Sequence, residues 1–116
     1  LPGDFTPASR FVRAFFLSAT AVPMNTALES VIQSFKILNN FDIPIGVLFE
    51  KGKAPDIPSA TQWTSSIDLT NRRVYYRTMY NSSIRCIDLS NIDFAKTKFI
   101  VSFLDEQKSE PINKIL

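Results

Sequence analysis

The chain has 116 residues, 45% hydrophobic and 21% charged, which suits one domain with a core and excludes a disordered segment. Its 13 Lys and Arg against 11 Asp and Glu leave a net charge of +2, too small and scattered to point to nucleic acid. With no histidine and a single cysteine, Cys86, the sequence holds no Ser-His or Cys-His pair, imidazole metal site or intrachain disulfide.

Thr6-Pro7 reads as an N-cap followed by proline at the first helical position. Phe11, Val12, Phe15, Phe16 and Ala19 follow at helical spacing, so a helix is expected from Pro7 to Ala21, stopped near Pro23. Arg10 and Arg13 fall on the side away from this apolar face. Thr26 with Glu29 makes a capping box, and Leu28, Val31, Ile32, Phe35 and Leu38 carry a second amphipathic helix to about Asn40. Ile45 to Phe49 is a candidate short strand, and Lys51 to Pro58 is a loop by its Gly and Pro content.

Thr61 to Leu69 and Arg73 to Tyr80 read as strands joined by a turn at Thr70-Asn71-Arg72. Asn81-Ser82-Ser83 makes a second turn, Ile84 to Leu89 a third strand, and Lys98 to Phe103 a last one. Residues 105–116 form a polar tail. Two helices followed by an antiparallel meander predict an α+β fold. The longest uncharged apolar run, Ala14 to Val22, is far short of the ~18 residues of a membrane span, so no membrane is expected as partner. Ten phenylalanines suggest either a substantial core or surface that packs against something outside this chain.

The chemistry-bearing residues are few. Cations near a helix N-terminus meet the positive end of the macrodipole, at about 0.3–1 kcal/mol each. Arg10 and Arg13 have no acid three or four residues away on their helix, and Asp4 is the one local candidate. Two readings stay open: one arginine addresses an anion or a developing oxyanion, or both are structural. Cys86 lacks a base and reads as a buried, inert thiol. Trp63, Tyr75, Tyr76 and Tyr80 beside Arg72, Arg73 and Arg77 could stack bases, but no RNP pattern is present and strands favour aromatics anyway. The acidic residues form no metal-binding pattern, and no cofactor motif is present.

The stretch LPGDFTPASRFVRAFF resembles the C-terminal part of the choloylglycine hydrolase family, which includes conjugated bile acid hydrolases and penicillin V acylases. Thr61-Gln62-Trp63-Thr64, and Val74-Tyr75-Tyr76-Arg77-Thr78 with Asn81, Ile84 and Arg85, resemble the family's later hairpin, YYRT-x-x-N-x-x-I-R. Met79-Tyr80 depart from the aromatic and acid common there. The resemblance implies an N-terminal nucleophile hydrolase with an αββα sandwich. It implies an N-terminal cysteine nucleophile whose own α-amine is the base, and hydrolysis of a linear amide in an acyl-amide small molecule. It also implies an electrostatic catalytic role for the arginine after Ser9, which is Arg10, and leaves Arg13 structural.

The first residue given is Leu1, not a cysteine, and Cys86 is internal and has no free amine. The expectation is therefore a C-terminal segment over 1–104 of a larger hydrolase, inactive alone, with exposed strand edges and an exposed Phe-rich helix that favour self-association. The alternative is a non-catalytic α+β interaction module. Neither substrate nor compartment is legible in the sequence.

Overall fold

Thr6 and Pro7 start the first helix for the reason their residue types suggest. In the computed structural model, which describes residues 3–47, 59–106 and 108–116, α1 spans Pro7–Thr20. Proline in the first turn gives up no helical hydrogen bond, and Thr6 Oγ1 accepts from Ser9 N at 3.4 Å. α2 spans Ala27–Leu38 and opens on the complete capping box. Glu29 N donates to Thr26 Oγ1 at 3.1 Å, and Thr26 N donates to Glu29 Oε2 at 3.2 Å. A 3-10 turn, Asn39–Phe41, ends the helical run.

The face that α1 turns inward is not its apolar one. Ser9 and Arg13 are buried, whereas Phe11 is 72% and Phe15 68% exposed, with Val12 and Phe16 also exposed. Residues 9 and 13 are one turn apart and share a face, and the aromatic stripe lies on the other side of the helix. Polar bonds decide the orientation: Arg13 Nη1 donates to the carbonyl of Asp4 at 2.8 Å, and its guanidinium lies 5.5 Å from the centre of the Phe41 ring. Among the described residues the buried hydrophobic side chains are Val31 and Phe35, both on α2. Most of the phenylalanines thus serve as surface rather than core.

After the helices, Ile45, Gly46 and Val47 form a turn rather than the start of a strand. Gly46 has a φ of 95°, a region that glycine enters without steric cost. The remaining two residues of that expected strand, and the expected loop 51–58, lie outside the described residues. Thr61 N donates to the carbonyl of Ile43 at 3.0 Å, and Ile43 N donates to Thr61 Oγ1 at 2.9 Å, which closes the first of two compact units, Leu1–Thr61.

The second unit, Gln62–Leu116, is built on a three-stranded antiparallel sheet of order β1-β2-β3. Its strands are β1 Trp63–Asp68, β2 Arg73–Thr78 and β3 Asn81–Asp88. Trp63 pairs with Thr78 and Asp68 with Arg73, and across the second ladder Tyr76 pairs with Arg85 and Arg73 with Asp88. The turn after β1 is held by Asp68, whose Oδ1 accepts from Asn71 N at 3.0 Å and whose Oδ2 accepts from Asn71 Nδ2 at 2.6 Å. The register shifts between Tyr76 and Thr78, a bulge beside the β2–β3 turn. Two helices followed by this sheet make the fold α+β.

Three expectations for this unit need correcting. The second turn falls at Met79-Tyr80, and Asn81-Ser82-Ser83, expected to form it, open β3 instead. Lys98 to Phe103 joins no ladder, and Phe99, Ile100, Val101 and Phe103 are exposed, because an apolar β-forming run needs a partner edge before it becomes a strand. Cys86 is exposed rather than buried, since β3 is an edge strand whose Cys86 face is left uncovered.

Candidate functional site

Two clusters draw the chemistry-bearing residues together, one in each unit. The first is the start of α1. Asp4, two residues before the cap, accepts from Thr6 N at 2.9 Å and from Thr6 Oγ1 at 2.5 Å through Oδ1. Its Oδ2 accepts from Ser9 Oγ at 2.9 Å. These bonds, those from Thr6 first and that from Ser9 after, hold the Asp4 carboxyl at about 2, below its ordinary 3.8. A carboxylate that is fully ionised therefore sits in front of the helix N-terminus, where the macrodipole favours negative charge. The bonds to this carboxylate come from Thr6 and Ser9, and Arg13 reaches the backbone carbonyl of Asp4 instead.

The arginines divide the work. Arg13 is buried and committed to the carbonyl of Asp4 and the ring of Phe41. Arg10 is exposed, and among the described residues no side chain pairs with its guanidinium; its backbone N donates to the carbonyl of Thr6 at 3.0 Å as part of the helix. The stretch from Gly3 to Arg13 thus folds into a capped helix start that presents one cation outward and tethers another inward. The sequence pattern separated these arginines from the Phe stripe, but it could not say which of them would be buried.

The second cluster lies on the β2–β3 hairpin. Tyr76 and Arg85 are direct cross-strand partners, and Thr78 is two residues beyond Tyr76 on the same face. The Arg85 guanidinium lies 4.8 Å from the Tyr76 ring centre and donates through Nη1 to the carbonyls of Asn81 and Ser83, both at 2.8 Å. Through Nη2 it meets Asp105 Oδ1 at 2.6 Å, an ion pair in which the Asp105 side chain is 8% exposed. Thr78 Oγ1 donates to the same oxygen at 2.8 Å. An open groove of about 630 Å³ lies alongside, lined by Tyr76, Asn81, Arg85, Phe103, Leu104 and Asp105 among others. Sequence reading placed Arg85 in a motif but missed its carboxylate, which lies 20 residues away and leaves no local signal.

Among the described residues, no group of His, Cys, Asp or Glu could hold a metal ion, and no helix is long and apolar enough to cross a membrane. Cys86 stands opposite Tyr75 in mid-strand, with its backbone nitrogen in a peptide bond. It therefore has no free amine with which to act as a self-activated nucleophile.

Residues 1–103 match the family of linear amide C–N hydrolases described as the choloylglycine hydrolase family. A bile salt hydrolase/transferase of Clostridium perfringens is 38% identical over 95 residues, covering 80% of this chain and 28% of that protein. Among solved structures, a mutant conjugated bile acid hydrolase from Clostridium perfringens superposes with a TM-score of 0.69 at 31% identity, covering 100% of this chain and 34% of the other. The penicillin V acylase of Agrobacterium tumefaciens superposes with a TM-score of 0.64 at 25% identity, covering 80% of this chain and 28% of the other. The chain therefore spans about a third or less of the length of the relatives it matches.

Proposed function

Because the chain belongs to the choloylglycine hydrolase family of linear amide C–N hydrolases, we propose that it supplies the C-terminal part of an enzyme that hydrolyses a linear amide in a small acyl-amide substrate. Arg10 is the residue it contributes to catalysis. The observation that carries this reading is the division at the start of α1: Arg13 is locked inside while Arg10 stands exposed without a side-chain partner among the described residues. A capped helix end whose geometry is set by Asp4, Thr6 and Ser9 fixes the turn of backbone from which the Arg10 side chain extends.

The chemistry is acyl transfer. A thiolate attacks the amide carbonyl, the carbonyl electrons move onto oxygen, and the C–N bond breaks as the leaving nitrogen takes a proton from the nucleophile's own ammonium group. Water then cleaves the thioester and releases the acid. Charge develops on oxygen in both steps, and a fixed guanidinium close to it stabilises the transition state more than the ground state. Neither the nucleophile nor its amine comes from the residues of this chain, so the chain alone is inactive. The rest of the αββα sandwich would cover the Phe stripe of α1 and the open edges of β1 and β3. Without it, those surfaces favour self-association.

The test assays two preparations on a conjugated bile salt and on penicillin V. One is this chain alone. The other is a chimera in which it follows the preceding part of the Clostridium perfringens bile salt hydrolase/transferase. The chimera is expected to turn over at least one substrate, and Arg10→Ala in it to lower kcat by roughly 10²- to 10³-fold. Turnover by the chain alone would refute its inactivity. A chimera equally impaired by Arg10→Ala and Arg13→Ala would remove Arg10 from the catalytic role.

A further inference from the structure

The match to the family ends at residue 103. The residues just beyond it are tied to the β2–β3 hairpin at two stations. At the first, the Leu104 carbonyl accepts from Tyr76 Oη at 3.0 Å, and Asp105 accepts from Arg85 and Thr78. At the second, the Glu110 carboxylate accepts from Ser82 N at 2.9 and 3.0 Å and from Ser82 Oγ, while Lys108 Nζ lies 5.2 Å from the Tyr80 ring centre. Both stations are at the end of the hairpin that carries the two-residue turn Met79-Tyr80.

Arg85 joins the two sides of this arrangement. Four of its contacts reach inward to the hairpin: the carbonyls of Asn81 and Ser83, the Thr78 hydroxyl at 3.3 Å, and the ring of Tyr76. Its charge is met by Asp105. Both terminal nitrogens of this guanidinium are committed to protein acceptors, and its side chain is three-quarters removed from solvent. Removing Asp105 would leave its charge half-buried and unpaired, which is costlier than losing an exposed pair.

We propose that Arg85 is a positioning residue that clasps the segment at Leu104–Asp105 onto the β2–β3 turn, and that this clasp fixes the hairpin's conformation. Tyr76, Thr78 and Arg85, which belong to the hairpin motif, are its receptor, and the carboxylate that fills it comes from outside the family match. The groove beside it exists because the clasp is closed.

Hydrogen exchange on the full chain tests this. Asp105→Ala is expected to speed amide exchange across β3 at least tenfold and to leave α1 unchanged. Asp105→Asn, which keeps the bond from Thr78 but loses the charge, should give a smaller rise. Glu106→Ala, at an exposed neighbour, should give none. Arg85→Ala combined with Asp105→Ala should exchange more slowly than the two single effects added together predict, because the variants share the Arg85–Asp105 pair. If Asp105→Ala unfolds the chain, Asp105→Asn and the pairwise comparison with Arg85→Lys still decide. Exchange in β3 that is unchanged by these variants, that rises equally in Glu106→Ala, or that rises independently in the two partners would overturn the proposal.

Discussion

At the scale of single residues, the start of α1 is an electrostatic arrangement more than a packed one. Asp4 is held ionised by Thr6 and Ser9, and on the sheet Asp88 is held at about 2 by Ser90 first and by Arg73 second. Both have folded values below the 3.8 of the unfolded chain. The unfolded state therefore binds more protons between those values, and stability rises with pH across that window. Thermal melts followed by circular dichroism should be flat from pH 5 to 8, where the absence of histidine removes the usual titration, and should fall from about pH 4 toward pH 2. Asp4→Asn should flatten part of that fall. The two arginines predict opposite signatures. Arg13→Ala should lower the melting temperature, since it empties a buried position bonded to the Asp4 carbonyl, whereas Arg10→Ala should leave it nearly unchanged.

At the scale of elements, local sequence signals and packing diverge. The caps of both helices are local, and both form where Thr6-Pro7 and Thr26 with Glu29 place them. Thr26→Ala should cost about 1 kcal/mol, measured by urea denaturation, because the Glu29 amide at the helix end loses its partner, Thr26 Oγ1. The apolar stripe of α1 behaves otherwise. It has helical spacing, and so identifies a helix, but it packs on nothing described here. Phe15→Gln should therefore change stability by no more than about 0.5 kcal/mol, although a core phenylalanine would cost several times that. The same logic explains Lys98 to Phe103. Its residues suit a strand, yet a strand is a relation between two segments, and no neighbour supplies the other half.

At the scale of the whole molecule, a chain with 45% hydrophobic residues buries only two hydrophobic side chains among those described, and leaves Phe11, Phe15, Phe99 and Phe103 largely open to water. Surface of that kind is covered by association when nothing else covers it. Sedimentation at rising concentration is expected to show self-association that Phe11→Ser with Phe15→Ser weakens; a monomer at every concentration would count against it. The α+β class, the two helices, the order of strands and the family were all legible in the sequence, because capping, periodicity and turn chemistry act over a few residues and the PGDFTPASRFVR and YYRT segments are distinctive. Which face of α1 turns inward, which arginine is buried, and that Asp105 would meet Arg85 were decided only in three dimensions. Each depends on a contact between residues that local pattern cannot connect: Arg13 with the Asp4 carbonyl and the Phe41 ring, and Arg85 with a carboxylate 20 residues away.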